Sequence, residues 1–251
     1  MNDTRISHGS AGLAIEHAPV SVAMDSIVMD SIAMDSIAKD SIRLEGDLSV
    51  PTAPKGAVLF AHGSGSSRHS PRNRYVADVL NEGGLATLLI DLLTADEQEV
   101  DLQTAHLRFD IPFLARRLTT TTEWLSRRPE VRHLKLGHFG ASTGAAAALV
   151  AAAELPRLVS AVVSRGGRPD LAGAALSRVD APTLLIVGAA DPVVLDLNRK
   201  ALALLRCEKQ LQIIPGAGHL FEESGALQKV SVLARDWFLS KLANPAAAPS
   251  R

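Results

Sequence analysis

The stretch Gly137-His138-Phe139-Gly140-Ala141-Ser142-Thr143-Gly144-Ala145 constrains this chain more than any other. An apolar run, Leu134 to Leu136 broken by Lys135, leads into it, and a small-residue run, Ala145 to Ala153, leads out. The first reads as a strand and the second as a helix. Gly140-x-Ser142-x-Gly144 therefore falls at a strand-to-helix turn, the setting in which a serine becomes a nucleophile. Such a turn strains the backbone at Ser142, and the flanking glycines let neighbouring chains approach closely. The hydroxyl stands clear of the sheet, and the helix N-terminus favours negative charge developing beside it. The competing reading is a Gly-rich loop whose serine merely caps the next helix.

Short apolar runs alternate with helical ones along most of the chain. Ile42–Val50, Ala57–Ala61 and Ala86–Ile90 read as strands, with a helix from Pro71 to Gly83-Gly84 between the last two. A long connection of about 17 residues follows. Asp110-Ile111-Pro112 opens a helix that reaches Ser126, and Val131–Gly137 contains the strand before Ser142. Leu158–Val163, Thr183–Val187 and Leu211–Ile214 are further strands; Leu195–Leu205 and Ala226–Leu242 are helices. This alternation implies an α/β fold, a mainly parallel central sheet with helices on both faces. Ligands of such sheets bind at the carboxyl ends of the strands. His62, Ser142, Arg165, Asp191 and His219 each follow a predicted strand, so distant segments converge on one edge.

Ser142, Asp191 and His219 occur in the order Ser–Asp–His, each after its own apolar strand and a small-residue turn. His219 is placed to act as general base toward Ser142 and then to protonate the leaving group. Asp191 is placed to hold the imidazole in the required tautomer. Taken singly, His219 is also a turn histidine and Asp191 a helix cap; the three placements together favour the catalytic reading. Glu222 and Glu223 compete with Asp191 as orienting acids but lie close to His219 in sequence, and favour the start of the last helix instead. The loop His62-Gly63-Ser64-Gly65-Ser66 is expected to supply half of an oxyanion hole. Its donor is the Ser64 backbone N–H, paired with that of Thr143, while His62 braces the loop. The loop lacks the Lys-Ser/Thr ending of a phosphate-binding P-loop and the Gly-x-Gly-x-x-Gly dinucleotide pattern. No His, Cys, Asp or Glu spacing marks a metal site, and the chemistry expected here needs neither metal nor cofactor.

Bulk composition narrows the remaining classes. The 251 residues carry 26 basic and 27 acidic side chains, a net charge of −1, so nothing suggests a surface built for nucleic acid or membrane. The single cysteine, Cys207, permits no internal disulfide, and the start lacks the basic-then-apolar order of a signal peptide. No segment reads as a membrane span, and the cytoplasm is the expected location. Residues 1–22 show no firm periodicity. Residues 24–43 hold a five-residue repeat, Met-Asp-Ser-Ile-Val/Ala three times and then Lys39-Asp40-Ser41-Ile42-Arg43. A period of five turns the isoleucines by about 140° per copy on a helix and switches their face on a strand. It resembles pentapeptide-repeat proteins, but four copies make only about one coil, and such coils need stacked neighbours. An expansion tolerated near a terminus accounts for it better. The expected organisation is a lead-in over 1–41, one folded domain over 42–242, and a loose tail over 243–251.

Residues 42–242 resemble an α/β-hydrolase, closest to the dienelactone-hydrolase-like branch. The resemblance is carried by Ala61-His62-Gly63-Ser64-Gly65-Ser66, Gly140-Ala141-Ser142-Thr143-Gly144, Gly188-Ala189-Ala190-Asp191 and Gly216-Ala217-Gly218-His219. It implies an eight-stranded sheet, Ser142 as nucleophile with Asp191 and His219, and an acyl-enzyme route for a small ester, lactone or thioester. The branch commonly carries cysteine at the nucleophile, where this chain has Ser142; Cys207 precedes a strand and does not stand in for it. Acyl transfer by the same triad, and a non-catalytic binding or structural role, remain alternatives. Arg165 and Arg168 are candidates for holding an anionic part of the substrate, because guanidinium grips carboxylate through two parallel hydrogen bonds. The competing reading for them is a local pair with Asp170. The 92–110 and 165–180 segments are expected to wall the acyl pocket.

Overall fold

A computed structural model of the chain describes residues 5–8, 13–24 and 42–243. Among the described residues nine strands form one sheet: β1 Arg5–His8, β2 Ala14–Ala23, β3 Arg43–Pro51, β4 Ala57–Ala61, β5 Ala86–Ile90, β6 Leu136–Ala141, β7 Val159–Arg165, β8 Thr183–Gly188 and β9 Lys209–Ile214. Six α-helices of the described residues accompany them: α1 Pro71–Glu82, α2 Ala95–Thr104, α3 Ile111–Ser126, α4 Thr143–Glu154, α5 Pro192–Leu204 and α6 Ala226–Leu242. The strand order is β1-β2-β3-β5-β4-β6-β7-β8-β9. The pairs β1–β2, β2–β3 and β3–β5 are antiparallel, and every pair from β5–β4 to β8–β9 is parallel.

Alternation along the buried strands divides the interior into two cores. Val58, Phe60, Phe139 and Val163 face Val76 and Leu80 of α1 and Val230 and Phe238 of α6. Leu59, Ala61, Leu136 and Val162 face Leu118 of α3 and the alanines of α4 on the other side. The Phe60 and Phe139 rings pack 4.7 Å apart between adjacent strands. Each such fully buried side chain stabilises the fold by about 1.5–3 kcal/mol.

The amino-terminal expectation is corrected. β2 lies against β3 from Ile15↔Pro51 to Ala23↔Arg43, and Val22 is fully buried, so these residues belong to the sheet rather than to a lead-in. The boundary expected at 41/42 falls between two neighbouring strands. Pro19, which cannot donate to a ladder, hid the strand; the described part of β1 pairs with Ala14–His17. The five-residue repeat lies outside the described residues except at its ends, where Met24 N–H donates to Ile42 O at 2.8 Å. The tail beyond residue 243 lies outside them too. Two further differences bear on the site. The strand before Ser142 runs from Leu136 to Ala141, later than expected, and the long connection after β5 contains α2 and a 3-10 turn at Leu107–Phe109.

Candidate active site

Ser142 joins β6 to α4 with φ 50° and ψ −122°, a conformation that costs a non-glycine residue roughly 1–3 kcal/mol. Three backbone bonds hold it there. Ser142 N–H donates to Arg165 O at 3.3 Å, and its own carbonyl accepts from Ala145 N–H at 3.1 Å and Arg168 N–H at 3.0 Å. The glycines of the motif permit this crowding: a β-carbon on Gly140 would fall 2.4 Å from Ala145 Cα, and one on Gly144 2.3 Å from Ala61 O. Ser142 occupies the N-cap position of α4, yet its side chain makes no capping hydrogen bond. The hydroxyl is therefore not engaged by the helix.

Asp191 follows β8 and spends its two oxygens differently. Oδ1 accepts from Val194 N–H at 3.4 Å and caps α5; Oδ2 lies 2.7 Å from His219 Nδ1. Capping fixes the carboxylate, so the cap and the imidazole partner are one device. Ala190 N–H donates to Ala217 O at 2.9 Å and ties the two loops together. With Nδ1 engaged, Nε2 is the nitrogen of His219 left for proton transfer. The Ser142 hydroxyl and His219 are not hydrogen-bonded here. The serine reaches the same edge through the strand beside it: Gly166, next after Arg165, packs against the His219 carbonyl. Glu222 and Glu223 do not serve α6, whose first turn holds no acid. Glu223 Oε1 accepts from Gly218 N–H at 2.9 Å and stiffens the histidine turn, while Glu222 pairs with Arg72 at 3.3 Å.

The turn after β4 packs on Ser142, a β-carbon on Gly63 falling 2.9 Å from Ser142 Cβ. His62 fixes that turn. Its Nε2 accepts from Leu92 N–H at 2.9 Å, so Nδ1 must carry the proton for its 2.9 Å bond to Gly63 O. Burial pushes the His62 pKa down against the pull of the Gly63 carbonyl and Asp91, keeping this neutral tautomer. Asp91 in turn takes Arg68 N–H at 2.6 Å and pairs with the Arg68 guanidinium. Ser64 and Thr143 both line a small cavity, about 40 Å³, walled also by Leu92, Gln98, Leu102 and Arg108. Residues from 92 to 108 line this cavity, and residues 165–180 do not. Thr143 opens α4, where amides have no intrahelical acceptor. Behind the elbow His138 bridges Thr122 of α3, 2.9 Å away, and Ala148 O of α4, 3.3 Å away. A larger cavity of about 510 Å³ between β2, β3 and α1 contains none of the expected site residues.

The two candidate arginines separate. Arg168 is held by Asp170 through two hydrogen bonds of 2.9 and 2.8 Å, the local pair. Arg165 is 8% exposed, makes no ion pair among the described residues, and has a buried Nη1 without a partner. Among the described residues there is no group of three His, Cys, Asp or Glu that could hold a metal ion, and no helix long and apolar enough to cross a membrane.

Comparison with known proteins identifies the family. A model of the dienelactone hydrolase family matches residues 48–237. The chain is 57% identical to a dienelactone hydrolase of Anabaena variabilis whose crystal structure superposes with TM-score 0.79, covering 89% of this chain and 99% of that one. Est1E of Butyrivibrio proteoclasticus, solved with ferulic acid bound, is 17% identical with TM-score 0.68 over 80% of this chain and 96% of its own, a likeness of fold. Two Mycobacterium tuberculosis proteins named "Putative phosphoribosyl transferase" are 59% identical over 201 residues. That match covers 80% of this chain but 44% of theirs, so the chain spans under half the length of these relatives.

Proposed function

The chain belongs to the dienelactone hydrolase family and has the α/β-hydrolase fold, and on that premise we propose a serine hydrolase of small carboxylic esters, lactones or thioesters. Ser142 Oγ attacks the acyl carbon while His219 Nε2 takes its proton. Asp191 holds the ring and stabilises its charged form. The backbone N–H groups of Ser64 and Thr143 receive the oxyanion. His219 then protonates the departing alcohol or thiol, and activates the water that releases the acid. The missing Ser142–His219 bond does not oppose this order, since such contacts tighten when substrate arrives. A substrate with an anionic group suits the site, because Arg165 brings a positive charge with no carboxylate partner among the described residues.

One observation carries the reading: Asp191 Oδ2 holds His219 Nδ1 at 2.7 Å, on the edge where a strained serine keeps its hydroxyl unspent. The test is a panel of aryl esters and lactones with a fluorophosphonate label. Wild type is expected to turn over and to label at Ser142. Ser142→Ala is expected to lose the label and roughly 10⁴-fold or more of the rate. Turnover that survives in Ser142→Ala would sink the assignment.

A further inference from the structure

Asn198 is a costly residue for its position. It sits in the middle of α5, where asparagine is a poor helix former, and it is fully buried. Its Oδ1 has no hydrogen-bond partner among the described residues. Enclosing an amide with one end unpaired destabilises a fold relative to an apolar side chain of the same shape. The other end of the amide is fully used. Nδ2 donates to Gly167 O at 2.9 Å and to Val194 O at 2.8 Å. Two carbonyl acceptors fix the orientation of the amide, because only its NH2 end can face both.

Both acceptors belong to segments that carry the proposed triad. Val194 also donates its N–H to Asp191 Oδ1 at 3.4 Å, and Asp191 Oδ2 holds His219. The neighbours of Gly167 hold the other two members. Arg168 N–H donates to Ser142 O at 3.0 Å, and Arg165 O accepts from Ser142 N–H. A β-carbon on Gly166 would lie 3.0 Å from His219 O. The turn has no slack on its inner side: a β-carbon on Gly167 would lie 2.0 Å from Ser164 Oγ and 2.6 Å from Ala145 Cβ of α4. The 165–168 turn thus touches both the serine and the histidine, and α5 grips it through the Asn198 amide.

We infer that Asn198 is a positioning residue: its amide locks the 165–168 turn to the Asp191 end of α5, and so sets how far Ser142 stands from His219. This rests on the serine-hydrolase reading for what is positioned, and on the two amide bonds for how. Misplacing a reacting group by about 1 Å costs on the order of 100-fold in rate, so a side chain that touches no substrate can govern the chemical step. Substrate binding is left alone, because Asn198 does not line the cavity that holds Ser64 and Thr143.

The experiment uses two substitutions. Asn198→Leu keeps the size of the side chain and removes both donations. Asn198→Ser leaves a hydroxyl that can bond the Val194 carbonyl one turn back but is too short for Gly167 O, so it isolates the bridge. Both are assayed on 4-nitrophenyl acetate beside wild type, Ser142→Ala and Leu85→Ala, the last a truncation of a fully buried residue just before β5, at the far end of the sheet. All assays run below the unfolding temperature of every variant. The two Asn198 variants are expected to lose about 30–100-fold in kcat with KM within about threefold of wild type. Fluorophosphonate labelling of Ser142 slows in proportion. Leu85→Ala, destabilised by its cavity, keeps the wild-type kcat. Placed on Ser142→Ala, Asn198→Leu lowers the residual rate no further, because a positioning residue acts through the group it positions. The inference is overturned if kcat in the Asn198 variants stays within about threefold of wild type. It is equally overturned if Leu85→Ala loses as much, or if Asn198→Leu lowers the residual rate of Ser142→Ala. Should Asn198→Leu not fold, Asn198→Ser decides by the same values. A protein silenced by Ser142→Ala and indifferent to Asn198 keeps the function and loses the inference. Undiminished turnover in Ser142→Ala removes both.

Discussion

One carbon decides whether Ser142 can be held where it is. A methyl group on Gly140 would lie 2.4 Å from Ala145 Cα and 2.7 Å from Ala145 N, both main-chain atoms that cannot rotate away. Gly140→Ala must therefore open the turn between β6 and α4. The expected cost is about 3 kcal/mol, at the upper end for overpacked sites. Esterase activity is expected to fall by about 100-fold or more, since the hydroxyl moves with the turn. Urea unfolding and ester hydrolysis measure the two losses; a variant with normal stability and rate would show that the crowding at Gly140 is unimportant. At this scale the sequence is a good guide wherever a residue is placed by its own strand. Ser142, Asp191 and His219 each sit just after one, which is why their spacing foretold the 2.7 Å Asp191–His219 contact. It is a poor guide where a partner comes from elsewhere. Arg165 and Arg168 look alike on paper, and only the fold shows Asp170 holding one while the other has no ion pair among the described residues and a buried Nη1 without a partner. Glu222 and Arg72 are likewise brought together by the fold, from opposite ends of the domain.

Elements follow the same logic. The helices with an apolar face over a core, α1, α3 and α6, begin and end close to where periodicity puts them. α2 has almost no apolar face, and so it was missed. Its sequence does carry a start signal: the Thr94 hydroxyl accepts from Glu97 N–H at 3.3 Å, while Glu97 Oε2 accepts from Thr94 N–H at 2.8 Å. What fastens it is charge rather than oil. Arg117 of α3 donates to Glu97 at 2.5 and 2.6 Å and to Leu92 O at 2.7 Å, with its guanidinium over the Phe113 ring. Burial alone would push the Glu97 pKa up, but the bonds and charge of Arg117, with the Thr94 amide, bring it below the ordinary carboxylate value. The pair is almost wholly enclosed, the Arg117 side chain 1% exposed and that of Glu97 10%. Glu97→Gln leaves a buried guanidinium uncompensated and is expected to cost about 3–5 kcal/mol. Glu97→Leu combined with Arg117→Met is expected to recover much of that loss. Denaturant midpoints for the single and double variants decide it, equal losses in both contradicting the idea that the stranded charge is what destabilises.

Across the whole molecule, the sheet separates two apolar cores, and two histidines are enclosed against it with their pKa values pushed down by burial. His138, on the central strand β6, is fully buried between α3 and α4, and burial pushes its pKa down from 6.5 to about 4 against the pull of the Ala148 carbonyl. His62 is shifted the same way at the end of β4. A histidine whose folded pKa is depressed binds fewer protons folded than unfolded. Its contribution to stability is therefore fully present above the unfolded pKa near 6.5, and is lost as pH falls toward the folded value. For His138 the loss approaches about 3 kcal/mol by pH 4. Glu97, held below the ordinary glutamate value of 4.5, adds a further loss only in more acid solution. Asp78 works in the opposite direction, since burial raises its pKa, but it is only half enclosed and its effect is small. The balance between pH 6.5 and 4.5 is therefore set by the two histidines. Urea unfolding at pH 7.5, 6 and 5 should show wild type losing stability across that window. His138→Gln should be less stable at pH 7.5, where it gives up a well-bonded ring, yet lose less on acidification because one of the two titrating groups is gone. Parallel pH dependences for the two proteins would mean that His138 is not held neutral by the core, and that the sheet-to-helix bridge behind Ser142 tolerates a charge.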